Sequence, residues 1–286
     1  MDIGQICAAK FKFANQNFDA LATSQPIGVF DSGIGGLSVW KELVQLLPHE
    51  SLVYVADQGF CPYGERSQNE IIARARRITQ FLLDKDCKLV VVACNTATSA
   101  AIQDLRANFK KPFVGMEPAI KPAARLTQTG KVGVIATKGT LESERFHSIK
   151  TQYAQGVEVW MQIGFGLVEN IEAGQAHTPE TEALLRQYLA PMLAAPIDQL
   201  VLGCTHYPFL APLLEKITKG RVHLINPAIA VARQVRRLLL SAKDLQPCPQ
   251  APEYQFYTSG EADIFARQWS YLFPELPLPG FVFPFS

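Results

Sequence analysis

From Pro26 onward the sequence alternates short, wholly apolar runs with longer stretches of helical periodicity, and this rhythm leaves the chain few folds. IGVF precedes SVWKELVQLL, SLVYVAD precedes NEIIARARRITQFLLD, and KLVVVAC precedes TATSAAIQDLRANF. The pattern resumes with KVGVIAT before LESERFHSIKTQYA and QLVLGC before PFLAPLLEKI. A strand without a polar face must be covered on both sides. Such strands joined by helices build parallel sheets from βαβ units, which predicts an α/β chain of doubly wound sheets.

The rhythm also repeats. Ile27-Gly28-Val29-Phe30 is echoed by Val132-Gly133-Val134-Ile135 about 105 residues later, and the run ending at Cys94 by the run ending at Cys204 about 110 residues later. Nearly equal offsets predict two similar α/β halves. The alternative is that any two nucleotide-fold-like halves share strand–turn–helix grammar. Residues 1–25 are polar and aperiodic and read as an N-terminal arm. The prolines of GMEPAIKPAAR mark a boundary, and the Pro-rich QPCPQAP is a link after which the chain returns. The expected division is therefore 26–120 plus 230–286 as the first domain and 121–229 as the second.

A net charge of +1 offers no electrostatic footprint for nucleic acid or an anionic membrane. No apolar run reaches the roughly 18 residues of a membrane span, and the N-terminal stretch lacks the apolar core of a signal peptide. The six cysteines show no C-x-x-C pairing. They read as free thiols in a reducing cytoplasm.

Open parallel sheets bind ligands beyond the carboxyl ends of their strands. Collected there are Asp31 and Ser32 before the turn Gly33-Ile34-Gly35-Gly36, then Cys94-Asn95-Thr96, Thr137 with Thr140, and Cys204-Thr205-His206. The glycine turn is neither G-x-G-x-x-G nor a Walker A loop, and an acid directly before it would repel phosphate. It reads either as a tight strand–helix turn or as a site where Asp31 meets an ammonium group. Cys7, Cys61, Cys87 and Cys248 read as small apolar or simply exposed residues. Cys94 and Cys204 are each predicted at a helix N-terminus, where the macrodipole favours the thiolate. Two such thiols from related halves facing one cleft suit an acid–base pair working on opposite faces of one substrate, as inversion beside a carboxylate requires. Asn95, Thr96, Thr205 and backbone N–H groups would stabilise the carbanion. His206 would tune Cys204; a zinc site of Cys94, Cys204 and His206 is the competing reading.

FDSGIGGLSV, PYGERS, VACNTAT and LGCTHYPFL, in this order, resemble the glutamate racemase family over roughly residues 26–240. The resemblance implies two similar doubly wound, flavodoxin-like parallel-sheet domains with the active site between them. It implies a cofactor-independent isomerase, without metal, that makes D-glutamate for peptidoglycan. Cys94 and Cys204 would be its two proton-transfer groups, acting on D- and L-glutamate respectively. Asp31 and Ser32 would contact the amino acid, Asp31 at the ammonium or at Cys94. Tyr63, Gly64, Asn95, Thr96, Thr137 and Thr205 would line the pocket, and His206 would assist Cys204. The family carries an acid in the second half, for which GFGLVENIEAG offers Glu169 and Glu172; spacing favours Glu172. Asn226 and Pro227 depart from the family pattern. Some longer relatives from Gram-negative bacteria are activated by a UDP-linked peptidoglycan precursor, a partner that the N-terminal arm makes possible here, and a homodimer is expected. Some relatives affect DNA gyrase. An aspartate or hydantoin racemase, or a one-cysteine decarboxylase, is the neighbouring alternative; two cysteines argue against the decarboxylase.

Overall fold

A computed structural model describes residues 25–245, 251–279 and 282–285. The arm of residues 1–24, Cys7 and Cys248 lie outside the described residues, so the expected activator role of the arm does too. The first segment runs β1 (Ile27–Asp31), α1 (Leu37–Leu46), β2 (Leu52–Ala56), α2 (Gln68–Asp84), β3 (Leu89–Val92), α3 (Asn95–Asn108) and β4 (Phe113–Gly115). The second runs α4 (Ile120–Leu126), β5 (Lys131–Ala136), α5 (Lys138–Leu141), α6 (Glu144–Tyr153), β6 (Glu158–Ile163), α7 (Leu167–Glu172), α8 (Pro179–Ala194), β7 (Gln199–Gly203), α9 (Ala211–Thr218) and β8 (His223–Ile225). The chain then returns through α10 (Ala228–Ala242), β9 (Tyr254–Thr258), α11 (Ala262–Leu272) and β10 (Val282–Pro284).

All strand pairs are parallel. One sheet has the order β10-β9-β2-β1-β3-β4 and the other β6-β5-β7-β8. Strip the returning strands from the first, and both sheets share one plan. The opening strand (β1 or β5) sits between the second strand on one side and the third on the other. The order of winding reverses beside that opening strand, and the crevice it leaves is where such sheets bind ligands. Cys94 and Cys204 follow the third strand of their respective sheets, so the echo heard in the sequence is a true positional equivalence.

The strands read as apolar runs because they are covered on both faces: β1, β2, β3 and β7 are buried at every position. Local signals set the helix starts. Ser67 and Glu70 form a reciprocal capping box on α2, and Thr178 caps α8 ahead of Pro179. One continuous apolar cluster includes Ile34 and Leu37 from the first sheet's side and Leu167, Ile171, Tyr207 and Leu210 from the second's. The two sheets are therefore cemented by shared apolar burial as well as by polar contacts. The returning segment is anchored by rings: Trp40 packs 5.6 Å from Phe256 and 5.2 Å from Trp269, centroid to centroid. Helix α10 packs on α1 and β4, and β9 pairs with β2 in register from Leu52 opposite Tyr254. The C-terminal segment thus adds two strands to the first sheet.

Candidate active site

Asp31 is the last residue of β1 and is fully buried. Its Oδ2 accepts the Gly36 N–H at 2.8 Å, and Thr205 Oγ1 donates to both carboxylate oxygens at 3.3 and 3.4 Å. Asp31 thereby links the glycine turn of the first sheet to Thr205 of the second. Burial raises its pKa against the opposing pull of His206 and the Gly36 N–H. The adjacent Ser32 reaches the other thiol: Cys94 donates toward Ser32 Oγ at 3.8 Å. One dipeptide therefore touches the Cys94 side through Ser32 and the Cys204 side through Asp31.

The glycine turn owes its composition to crowding from the opposite sheet. A Cβ on Gly33 would collide with the Glu172 carboxylate, and one on Gly35 with the His206 ring and Thr205 Oγ1. The Ile34 N–H donates to Glu172 Oε1 at 2.8 Å, and Ser38 Oγ donates to the Thr205 carbonyl at 2.9 Å. The turn is tight, as one of the two sequence readings had it, and what it makes room for is the second half of the protein.

Cys94 is the N-cap of α3, and the Ala97 N–H donates to its sulfur at 3.4 Å. The helix terminus does not win, however. Burial pushes the Cys94 thiol well above the usual range, with the Asp31 carboxylate adding to the rise against the Ala97 N–H. Cys204 departs from expectation in a different way. It is followed by a turn and a four-residue 3₁₀ segment (Tyr207–Leu210), so it does not cap an α-helix. Its electrostatic partner is His206, whose Nδ1 lies 3.7 Å from the sulfur.

His206 Nε2 in turn faces Glu172 Oε1 at 2.7 Å. Burial disfavours the imidazolium, but hydrogen bonds to Cys204, Cys61 and Glu172 outweigh it and raise the His206 pKa well above 6.5. Burial likewise opposes the Glu172 carboxylate, yet His206, the Ile34 N–H and Gln58 hold its pKa below 4.5. The result is a charged dyad behind Cys204. Glu169, the other sequence candidate, is exposed; geometry brings only Glu172 to the site.

The remaining sequence candidates divide. Thr96 Oγ1 meets Thr137 Oγ1 at 2.9 Å across the two sheets, and Thr137 donates to Thr140 at 2.9 Å. Gly64 lies against Thr137, where an added Cβ would come 3.2 Å from the threonine Cβ. Among the described residues, neither amide atom of buried Asn95 has a hydrogen-bond partner. The Tyr63 hydroxyl donates to Asp57 Oδ2 at 2.5 Å, and Arg74 grips the same carboxylate from two nitrogens at 2.6 and 2.9 Å. Tyr63 therefore braces the loop that presents Gly64.

Several residues at the site carried no sequence signal. Gln268 of α11 donates to the Glu172 carbonyl at 2.5 Å and to Oε2 at 3.0 Å, and Gln58 donates to Oε2 at 3.2 Å and to Gln268 at 2.6 Å. Cys61, read from sequence as packing or surface, points its thiol at Glu172 Oε1 across 3.7 Å, and burial pushes that thiol up to about 12. The PYGERS motif beside it was the one available cue. Among the described residues, Cys61, Glu172 and His206 form the group with donor atoms clustered within 4.8 Å. The trio of Cys94, Cys204 and His206 considered from sequence does not form such a group.

The model of the Asp/Glu/Hydantoin racemase family matches residues 27–235. A curated glutamate racemase of Herpetosiphon aurantiacus is 50% identical over 243 residues, covering 85% of this chain and 96% of that protein. The crystal structure of glutamate racemase isoform RacE1 from Bacillus anthracis superposes with a TM-score of 0.81 at 31% identity, covering 92% of this chain and 97% of that one. The Escherichia coli glutamate racemase in complex with L-glutamate and the activator UDP-MurNAc-ala gives 0.80 at 32% identity, covering 91% and 97%. With the family model spanning most of its length and a half-identical relative matched nearly end to end, this chain belongs to the Asp/Glu/hydantoin racemase family and stands among its glutamate racemases, which makes it an isomerase.

Proposed function

We propose that the chain interconverts L- and D-glutamate without a cofactor, by α-proton transfer between Cys94 and Cys204. The observation that carries this reading is the pair of buried cysteines, 5% and 6% exposed, at equivalent strand ends of two sheets joined through Asp31 and Thr205. In each turnover the thiolate of one cysteine takes the α-proton and becomes a thiol. The electron pair left on Cα spreads into the carboxylate, and the opposed thiol donates its proton to the other face, leaving a thiolate there. Two groups on opposite faces make inversion a matter of which one is charged at the start.

The orphaned amide of Asn95 supplies a donor for the carboxylates of the substrate, where negative charge grows in the transition state, and the hydroxyls of Thr96, Thr137 and Thr205 join it by exchanging their bonds to Thr137, Thr140 and Asp31 for bonds to substrate. Ser32 orients Cys94, and the His206–Glu172 dyad orients Cys204. The two sheets, with 26–120 plus 230–286 on the Cys94 side and 121–229 on the Cys204 side, serve as the two domains of the reaction cleft. Among the described residues no helix is long and apolar enough to cross a membrane. That fits a cytoplasmic enzyme supplying D-glutamate for peptidoglycan. The activator-bound Escherichia coli relative supports a UDP-linked peptidoglycan precursor as a regulatory partner, and a homodimer is the proposed assembly.

The test is to incubate L-glutamate with the enzyme in D₂O after EDTA treatment, following circular dichroism and α-deuterium. The wild type should racemise, and Cys94→Ser and Cys204→Ser should each lose roughly 10²–10⁴-fold, the usual contribution of a positioned proton-transfer group. Full racemisation by either variant, or loss of wild-type activity with chelator, refutes the mechanism. Faster inversion of aspartate than glutamate refutes the substrate.

A further inference from the structure

The catalytic reading uses Cys94, Cys204, His206 and Glu172 but leaves a third thiol at the site without a task. Cys61 Sγ lies 3.7 Å from Glu172 Oε1, and Glu172 Oε1 lies 2.7 Å from His206 Nε2. The donor atoms of all three residues fall within 4.8 Å of one another. They come from three separate stretches of chain: the loop after β2, the end of α7 and the turn after β7. A sulfur, a ring nitrogen and a carboxylate oxygen are the ligand types of a three-coordinate protein site for zinc, with a fourth position open. Tetrahedral zinc, with bonds of about 2.0–2.3 Å, sets its donors roughly 3.3–3.7 Å apart, so the present cluster is about an ångström from a binding arrangement.

A second observation shows how a cation gets in. Cys61 and Glu172 also line a cavity of about 510 Å³, bounded further by Gln58, Val168, Ser259 and Gln268. Neither Cys94 nor Cys204 is among its lining residues. Cys61 and Glu172 are therefore reached from the side of α7 and α11, and the buried His206 stands behind Glu172. Gln58 and Gln268 donate to Glu172 Oε2, which leaves Oε1 as the carboxylate atom turned toward sulfur and imidazole. Outer hydrogen bonds of this kind orient a carboxylate for a metal.

We propose that Cys61, Glu172 and His206 form an inhibitory site for a thiophilic divalent cation of the zinc and cadmium class. Binding breaks the Cys61 S–H bond and takes the proton from His206 Nε2; both protons go to solvent while metal–sulfur, metal–nitrogen and metal–oxygen bonds form, with no change of oxidation state. The metal replaces the His206–Glu172 hydrogen bond and pins the imidazole that faces Cys204. That inhibition follows rests on the two-cysteine reading above; binding does not.

The experiment uses the full chain, stripped with EDTA, and titrates it with cadmium chloride and zinc chloride. Cadmium binding is read by the ultraviolet thiolate-to-cadmium band and by calorimetry, and zinc inhibition by circular dichroism of glutamate. The wild type should bind one equivalent with a thiolate band, and zinc should inhibit in a manner reversed by EDTA. Cys61→Ala should lose the band and, measured against its own metal-free rate, need at least tenfold more zinc for the same fractional inhibition, since even outer partners of a metal are worth about 10–100-fold in affinity. The Cys94→Ser/Cys204→Ser double variant, inactive by design, should retain the band. If Cys61→Ala binds and is inhibited as the wild type is, or the double variant loses the band, the metal sits on the catalytic thiols and the proposal falls. Retention of the Cys61-dependent band by a wild type that does not racemise glutamate leaves the site standing and overturns only the catalytic reading.

Discussion

On the first sheet the cysteine caps a fourteen-residue helix, has a serine hydroxyl beside it, and lies close enough to buried Asp31 for that carboxylate to raise its pKa. On the second sheet the cysteine leads into a turn, and beside it stands a histidine made cationic by a carboxylate behind it. The strand order is the same, and so is the position after the third strand. Only the charge next to the sulfur is opposite. A symmetric scaffold thus sets two buried thiols at equivalent strand ends, while its asymmetric decoration gives one sulfur an anionic neighbour and the other a cationic one. Equivalent topology sets where a group sits, and the local partners set which proton it holds.

The largest test of that comparison is one-sided exchange. Cys94→Ala and Cys204→Ala should each stop racemisation, a loss of about 10²–10⁴-fold, yet each should still wash deuterium into one enantiomer, the opposite one in the two variants. NMR of the α-proton with L- and D-glutamate in turn reads this out. Exchange of both enantiomers by one variant would show that the two sulfurs do not guard separate faces.

Glu172→Gln should cost about 10–100-fold in kcat with little change in KM, because one buried charge-assisted hydrogen bond is worth roughly 1.5–3 kcal/mol. Steady-state kinetics in both directions should show the larger loss where Cys204 acts as base. Equal losses in both directions would argue that the dyad serves the fold and not one thiol.

Asp31→Asn should cost about tenfold, the lower end of the same range, but should move a pH profile. The direction that needs the Cys94 thiolate should gain rate beyond about pH 8.5, the ordinary cysteine value, because burial and Asp31 hold this thiol above it. Removing the Asp31 charge should bring that alkaline limb toward neutrality. An unmoved limb would remove Asp31 from the account of Cys94.

The smallest effect is on stability. Glu172, held below its ordinary 4.5, contributes stability that is present above pH 4.5 and lost as pH falls through the folded value. His206, held above its ordinary 6.5, contributes stability that is present below pH 6.5 and lost as pH rises through the folded value. The Tm of the wild type minus that of Glu172→Gln, with EDTA present, should therefore peak between these values, by about 2–4 °C per kcal/mol. A difference independent of pH would mean that the pair is not ionised.

Much of the molecule was legible in the chain because the relevant physics is local. Apolar runs such as LVVV report burial on both faces, and a cysteine directly after such a run must lie at a strand end. Hence the two sheets, the matched position of Cys94 and Cys204, and the cluster of hydroxyl residues behind them could be read residue by residue. Other expectations failed for physical reasons. A helix N-terminus after Cys94 suggested a stabilised thiolate, but full burial outweighs one N–H donor. Two glutamates three residues apart on α7 could not be ranked securely until the helix turned one to solvent and the other to His206.

Local patterning along the chain set the parallel strands, the chemistry deposited at their ends and, through its motifs, the family. The tertiary structure alone decided the partners. Glu172 is 138 residues from Ile34, 111 from Cys61 and 96 from Gln268, and no periodicity reports contacts over such separations. Those contacts exist because two sheets wound to the same plan press their strand ends together, and the glycine turn after Asp31 is the space left for them to meet.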